Sequence, residues 1–157
     1  MKMSDLTSLR TIVKFIKADL HRCIKCGVNI SLALLLSAYT EFFGHLLTGS
    51  GECRKSYDAW LRRMGQPYSG LLKNGVNLYD IIRCGLIHEY TIKKSARIFT
   101  EEGYPGIEIK DNVIYFNNLQ YYRDFIKSIE KYLEDIEKDP MLKKNFDDFR
   151  KGKPIVI

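Results

Sequence analysis

The segment from about residue 29 to residue 48 constrains the fold more than any other part of the chain. Its run ISLALLLSAY covers residues 30–39 and leads directly into Glu41. A helix that is apolar on nearly every side has to be surrounded by other parts of the protein. This run is only about half of the ~20 residues needed to cross a bilayer. We therefore expect the most buried helix of a soluble domain and no membrane association.

Amphipathic segments supply the helices that surround this one. Apolar residues recur every three or four positions in residues 4–23, and again from Leu119 to Ile136, which is the spacing of one helix face. Residues 52–64 predict a third, more polar helix, and the following GQPYSG predicts a break.

Two more helices are predicted from the residues that start them. Asn77 opens a helix that continues over YDIIRCGLIHEY. Asp139 followed by Pro140 is typical of an N-cap and a first helical position, and it predicts a short last helix to about residue 149.

The pattern changes to β-branched and aromatic residues in the segment 95–116. Turn signals divide it into three predicted strands, at about 95–99, 106–110 and 112–116. The last two strands are expected to form a tight hairpin around Asp111 and Asn112.

One domain is predicted over residues 1–157. Its fold class is mainly α, an antiparallel bundle of four to five helices with a small antiparallel β ribbon inserted before the last long helix. The net charge of +6 and the pI of about 9.1 suit a polyanionic partner. Four cysteines without an export signal indicate reduced thiols and a cytoplasmic location.

Arg83 and His88 interrupt the most apolar part of the fourth predicted helix. A guanidinium matches phosphate oxygens and a histidine exchanges protons near neutral pH, so the pair suits phosphodiester chemistry. On a regular α-helix these two positions lie about 140° apart around the axis, so both cannot enter one narrow core. The structural alternative is an arginine paired with a neighbouring carboxylate and a core-edge histidine bonded to a backbone carbonyl.

The stretch RCGLIHEY resembles the signature of the HEPN superfamily of helical ribonucleases. Arg83, His88 and Tyr90 give the pattern Arg-x4-His-x-Tyr, which is similar to that of HEPN toxins encoded beside a minimal nucleotidyltransferase antitoxin. The resemblance implies metal-independent RNA cleavage by 2′-hydroxyl attack, with Arg83 and His88 catalytic and Tyr90 the residue that the antitoxin modifies. The chain departs from the pattern at Cys84, where active members often carry Asn, Asp or His, and in having the ribbon.

A single histidine does not easily act as both the base and the acid of this reaction. His21 and His45 belong to other predicted helices and have no arginine at matching spacing. A two-fold homodimer with both copies of the pair in one cleft supplies the second histidine, as in HEPN nucleases. We therefore expect a homodimeric endoribonuclease, with a role as a toxin or defence component. The alternative is a non-catalytic HEPN-like module that binds RNA, a nucleotide or a protein partner.

Several residues near the motif are candidates for supporting roles. Asp80 and Glu89 are candidates to orient His88 or Arg83. A weak RNA-binding surface is predicted from four basic residues, Lys93, Lys94, Arg62 and Arg63, the last two close to Trp60 in the sequence.

The stretch HRCIKC contains a Cys-x-x-Cys that is half of a typical zinc site. The second half is missing, because Cys53 and Cys84 are single and far apart in the sequence. We therefore expect no metal site and no cofactor.

Overall fold

Seven helical segments and three strands make up the described part of the chain. The computed structural model describes residues 3–90, 92, 93 and 95–151, with side chains from residue 6 onward. The helices are α1 (Met3–Lys25), α2 (Asn29–Thr48), α3 (Cys53–Met64), α4 (Tyr68–Lys73), a π-helix (Tyr79–Glu89), α5 (Asn118–Lys138) and α6 (Pro140–Arg150). The strands are β1 (Ala96–Phe99), β2 (Ile107–Lys110) and β3 (Val113–Asn117). The prediction of a mainly helical chain with a small sheet before the last long helix is confirmed.

The apolar helix α2 lies at the centre of the fold. It packs against α1, α3, α5, α6 and the π-helix. By length and composition alone α2 could cross a membrane, but in this fold it serves as the helix on which the others pack. Its buried residues include two ionisable ones, Glu41 and His45.

The core around α2 is built from aromatic rings. The ring of Phe43 lies 5.1 Å from Trp60 of α3, and 5.7 Å and 6.5 Å from Phe125 and Tyr132 of α5, between centroids. All four side chains are fully buried, and the edge-to-face contacts of Phe43 with Phe125 and Tyr132 add to the energy of burial.

A glycine sets the distance between α2 and α3. A Cβ atom on Gly44 would lie 2.0 Å from the backbone oxygen of Ser56, so only glycine allows the two backbones to come this close. This close approach fixes α2 against the first turns of α3.

The sheet corrects one detail of the sequence prediction. The hairpin of β2 and β3 is antiparallel, and its turn residues Asp111 and Asn112 have φ of 51° and 59°, as two-residue hairpin turns require. However, β1 pairs with β3 in parallel, so the strand order is β1-β3-β2 and the sheet is mixed. The loop between β1 and β2 crosses the end of β3, where the Asn117 amide donates to the backbone oxygens of Glu101 at 2.8 Å and Tyr104 at 3.1 Å.

Local signals placed the last helix correctly but missed α4. Asp139 caps α6, with its Oδ1 accepting from the backbone N–H of Met141 at 2.8 Å. GQPYSG ends α3 after Met64, as predicted, but α4 begins within it at Tyr68, whose side chain is fully buried and donates its hydroxyl to Asp124 of α5 at 2.7 Å.

Candidate functional site

The segment that carries Arg83 and His88 is a π-helix rather than an α-helix. Its last hydrogen bond runs from the Tyr90 N–H to the Gly85 carbonyl, five residues earlier. Because π-helical hydrogen bonds join residues five apart, Arg83 and His88 lie slightly more than one turn apart. The expected angle of about 140° between them holds only for a regular α-helix, and the wider π-helical turn brings the two positions closer to one side of the helix.

Arg83 is anchored to α2 by an ion pair. Its Nε contacts Oε2 of Glu41, and its Nη2 donates to Oε1 at 3.2 Å. The two side chains are only 21% and 11% exposed. The guanidinium also lies over the ring of Tyr79, 5.6 Å from its centroid. Arg83 therefore forms the ion pair with a neighbouring carboxylate that the structural alternative predicted.

Glu41 joins Arg83 to two further groups. His45, one turn later on α2, places Nε2 3.6 Å from Oε1 of Glu41. Cys53 begins α3, and its sulfur lies within 4.8 Å of the ligand atoms of Glu41 and His45. Burial and the nearby Glu41 carboxylate raise the pKa of the Cys53 thiol. Glu41 and His45 of α2 thus lie together with Cys53 of α3 and Arg83 of the π-helix. We call these four residues the charged group of α2.

His88 and Tyr90 lie at the C-terminal end of the π-helix. Both side chains are exposed, and Tyr90 is 76% exposed. Tyr90 has φ of 55° and caps the C-terminal end of the π-helix in the left-handed conformation, which is common at helix ends but costly for a residue with a side chain. A proton-transfer group and a phenol are therefore accessible to a large substrate or to a modifying enzyme.

Asp80 and Glu89 take Lys93 as their partner. The Nζ of Lys93 lies 2.9 Å from Oδ1 of Asp80 and 3.7 Å from Oε1 of Glu89, and the hydrogen bond to Asp80 raises the pKa of Lys93. The two carboxylates thus offset the charge of Lys93 rather than orient Arg83. Lys94 lies outside the described residues.

Arg63, which the sequence predicts to be an RNA-binding residue, makes contacts within the fold. Its side chain is 15% exposed and its Nη2 lies 2.6 Å from Oδ2 of Asp135. The guanidinium packs over the buried rings of Trp60 and Tyr132, at 5.9 Å and 5.6 Å. Arg62 is exposed and stays available as a surface cation.

Sequence reasoning missed Glu41, His45 and Cys53 as members of the site. The sign that could have revealed them is the spacing of Glu41 and His45, which puts two ionisable residues on one face of an otherwise apolar helix. Nothing in the sequence around Cys53 indicates this role, because only the tertiary fold brings Cys53 close to Glu41 and His45.

Comparison with protein-family models, curated proteins and solved structures gives no match to this chain. The arrangement of residues is therefore the basis of the functional assignment that follows.

Proposed function

We propose that the protein is a metal-independent endoribonuclease of the HEPN type that acts as a homodimer in the cytoplasm. The observation that carries this proposal is the placement of Arg83 and His88 about one turn apart on the π-helix, with the first anchored and the second exposed. Together with the net charge of +6, this gives a permanent cation and a titratable base to an RNA phosphate.

The reaction uses each group in a distinct role. The 2′-oxygen of the RNA attacks the adjacent phosphorus as a base removes its proton, and the bond from phosphorus to the 5′-oxygen breaks as an acid protonates that oxygen. His88 of one copy serves as the base and His88 of the second copy as the acid. Arg83 stabilises the negative charge on the phosphorane. The products are a cyclic phosphate end and a 5′-hydroxyl end.

Glu41 acts as a positioning residue for Arg83. It receives two contacts from the guanidinium, through Nε and Nη2. A planar guanidinium has five N–H donors, so donors remain for a phosphate while Glu41 holds the side chain in place.

The exposed Tyr90 supports a regulatory site within the same proposal. Its hydroxyl is reachable by a nucleotidyltransferase-type antitoxin, and modification would add bulk and charge beside His88. We expect incubation with a nucleotidyltransferase encoded beside this protein, plus ATP, to add mass at Tyr90 in a peptide map. The variant Tyr90→Phe controls for other sites, and an unmodified Tyr90 removes this regulatory role.

The ion pair of Arg83 with Glu41 favours a second candidate function, a non-catalytic helical module. In that case Glu41 offsets the Arg83 charge permanently, and the exposed end of the π-helix binds RNA, a nucleotide or a protein partner without cleaving it.

Cleavage of a structured RNA in the presence of a chelator separates the two functions. We expect the wild type to produce cyclic phosphate ends, and His88→Ala to lower the rate by about 100-fold or more, the range for loss of a general acid or base. Arg83→Ala is expected to lower it as well. His21→Ala, which changes another exposed histidine, is the matched control and should cleave normally.

Two outcomes would count against the nuclease. RNA binding that survives His88→Ala, without cleavage by any form of the protein, supports the module. Cleavage by a protein that light scattering shows to be a monomer contradicts the shared cleft.

A further inference from the structure

Three metal-ligating side chains of different chemistry converge where α2 meets α3. A carboxylate oxygen of Glu41, an imidazole nitrogen of His45 and the sulfur of Cys53 lie within 4.8 Å of one another. Glu41 and His45 share one face of α2, and Cys53 is the first residue of α3. Oxygen, nitrogen and sulfur donors of these types are the ones that Zn²⁺ takes in proteins.

His45 is oriented as a ligand. Its Nδ1 lies 2.6 Å from the backbone oxygen of Ser50, and because a carbonyl oxygen only accepts, Nδ1 carries the proton. In the neutral ring Nε2 then has a free lone pair, and it lies 3.6 Å from Oε1 of Glu41. The ring is also stacked on Phe149 at 4.9 Å. Histidines that bind metals are typically held by such a hydrogen bond from the other ring nitrogen.

Oε1 of Glu41 already accepts from Nη2 of Arg83 at 3.2 Å, and its second lone pair can meet a cation next to Nε2 of His45. A proton would satisfy Glu41 and His45 as an imidazolium–carboxylate pair and would leave the Cys53 thiol donating to the Gly51 carbonyl at 3.9 Å, whereas a metal ion would bind all three side chains. A tetrahedral zinc ion holds its ligand atoms roughly 3.3–3.8 Å apart, given its bond lengths. The contact between Glu41 and His45 is already in this range, and the Cys53 sulfur needs to move only about 1 Å.

The connection from α2 to α3 keeps these groups in place without a bound ion. The backbone N–H of Ser50 donates to Oγ1 of Thr48 at 3.2 Å, and the N–H of Glu52 donates to Oγ of Ser50 at 3.1 Å. Gly44 holds the backbones of α2 and α3 in close contact beside this connection. A preformed set of donors lowers the ordering cost of binding.

We propose that Glu41, His45 and Cys53 bind a thiophilic divalent cation, of which Zn²⁺ is the best match, with water as the fourth ligand. On binding, the thiol of Cys53 releases its proton to the solvent and the thiolate bonds to the metal. Glu41 gives Oε1 to the metal in place of its contact with Nη2 of Arg83, and it keeps the contact of Oε2 with Nε of Arg83. This site goes beyond the proposed nuclease but shares Glu41 with it, and its tests follow metal binding without RNA, so that either proposal can fail alone.

Titration with Co²⁺ tests the site directly, since a cobalt–thiolate bond has its own charge-transfer absorption. Cys23→Ser with Cys26→Ser is the parent protein, so that the Cys-x-x-Cys does not contribute. We expect one equivalent of Co²⁺ to produce the band and Zn²⁺ to displace it. Adding Cys53→Ser should abolish the band and weaken binding by at least roughly 100-fold, more than the loss of an outer-shell partner costs. Cys84→Ser is the matched control and should keep the band.

A long-range ¹H–¹⁵N spectrum of the parent tests the site without a change in any proposed ligand. We expect His45 to carry its proton on Nδ1 before metal is added, and its Nε2 signal to shift on addition of Zn²⁺. An imidazolium that Zn²⁺ leaves unchanged would overturn the proposal, as would a cobalt band that persists in Cys53→Ser. The melting temperature of the parent should rise with Zn²⁺, whereas that of the Cys53→Ser variant should not.

Discussion

Two groups of polar side chains start from adjacent positions on α2, and they differ in chemistry. The neutral group consists of hydroxyls, with Ser37 bonded to Tyr57 at 3.3 Å and Thr40 bonded to Tyr121 at 2.8 Å. All four of these residues are completely buried. The charged group begins at the next residue, Glu41, and lies closer to the surface.

The difference shows how one helix serves both packing and chemistry. A hydroxyl donates and accepts, so pairs of hydroxyls satisfy one another and form a closed network. The carboxylate, imidazole and thiol of the charged group can change their protonation or bind a cation, and Glu41 and His45 are each 9% exposed. We infer that the neutral group stabilises the fold and that the charged group holds the reactive side chains.

The largest effect is expected from a substitution that disturbs both the neutral and the charged group. Gly44→Ala places a Cβ 2.0 Å from the backbone oxygen of Ser56, so α2 and α3 have to separate. We expect a loss of about 3 kcal/mol or more in the free energy of unfolding, at the upper end of overpacking effects, measured by urea denaturation. Gly51→Ala is the control, because its Cβ meets nothing within 4 Å. Equal stability of the two variants would contradict the close approach.

The next prediction separates the two groups. Glu41→Gln leaves the Arg83 guanidinium without its counterion, and we expect it to cost roughly 2–3 kcal/mol of unfolding free energy, less than for a fully buried pair. Thr40→Val in the neutral group should cost only about 1–2 kcal/mol, the penalty for an unpaired buried hydroxyl. Adding Arg83→Met to Glu41→Gln should recover part of the loss. If the double variant is less stable than Glu41→Gln, the ion pair is not the cause.

Alkaline pH should lower the stability of the protein through Tyr57 of the neutral group. Burial raises the pKa of Tyr57 to about 12, above its value of about 10 in the unfolded chain. The native state therefore holds this proton between about pH 10 and pH 12 while the unfolded state loses it. Stability should fall over that window by up to roughly 1.4 kcal/mol per pH unit from this residue alone.

Denaturation at several alkaline pH values measures this slope. Tyr57→Phe should make the decline with pH shallower. Tyr104→Phe should leave it unchanged, because the Tyr104 side chain is exposed. An identical slope in all three proteins would show that Tyr57 does not keep its proton in the native state.

The smallest expected effect concerns the end of the π-helix that carries Arg83. Tyr90→Gly removes the cost of a side chain at φ of 55°, and Tyr90 is too exposed to contribute much packing. We expect a gain of about 0.5–1 kcal/mol in unfolding free energy, after allowing for the flexibility that glycine adds to the unfolded chain. Tyr90→Phe should be neutral. A loss of stability in Tyr90→Gly would show that the tyrosine ring supports the helix end.

Most of the helices can be predicted from local sequence patterns. The stripe from Leu119 to Ile136 and the Asp139 cap each depend on neighbours within a few residues, and both were predicted. The π-helix was not, because its buried residues Ile81, Gly85 and Leu86 fit an α-helical face as well.

The parts that sequence reasoning missed depend on long-range contacts. Glu41 and Arg83 are 42 positions apart, and nothing in either neighbourhood indicates the other. Likewise, the parallel pairing of β1 depends on where the loop beyond β1 crosses β3, and alternation within a strand carries no information about direction.

The position of β3 in the sheet has a consequence for local opening. Since β3 is hydrogen-bonded on both sides and runs directly into α5, releasing it would require two strands and a long helix to come apart together. As an edge strand, β1 can detach while the hairpin remains intact. Backbone amides of β1 should therefore exchange with solvent deuterium sooner than those of β3, and the hairpin should assemble before β1 joins it during folding.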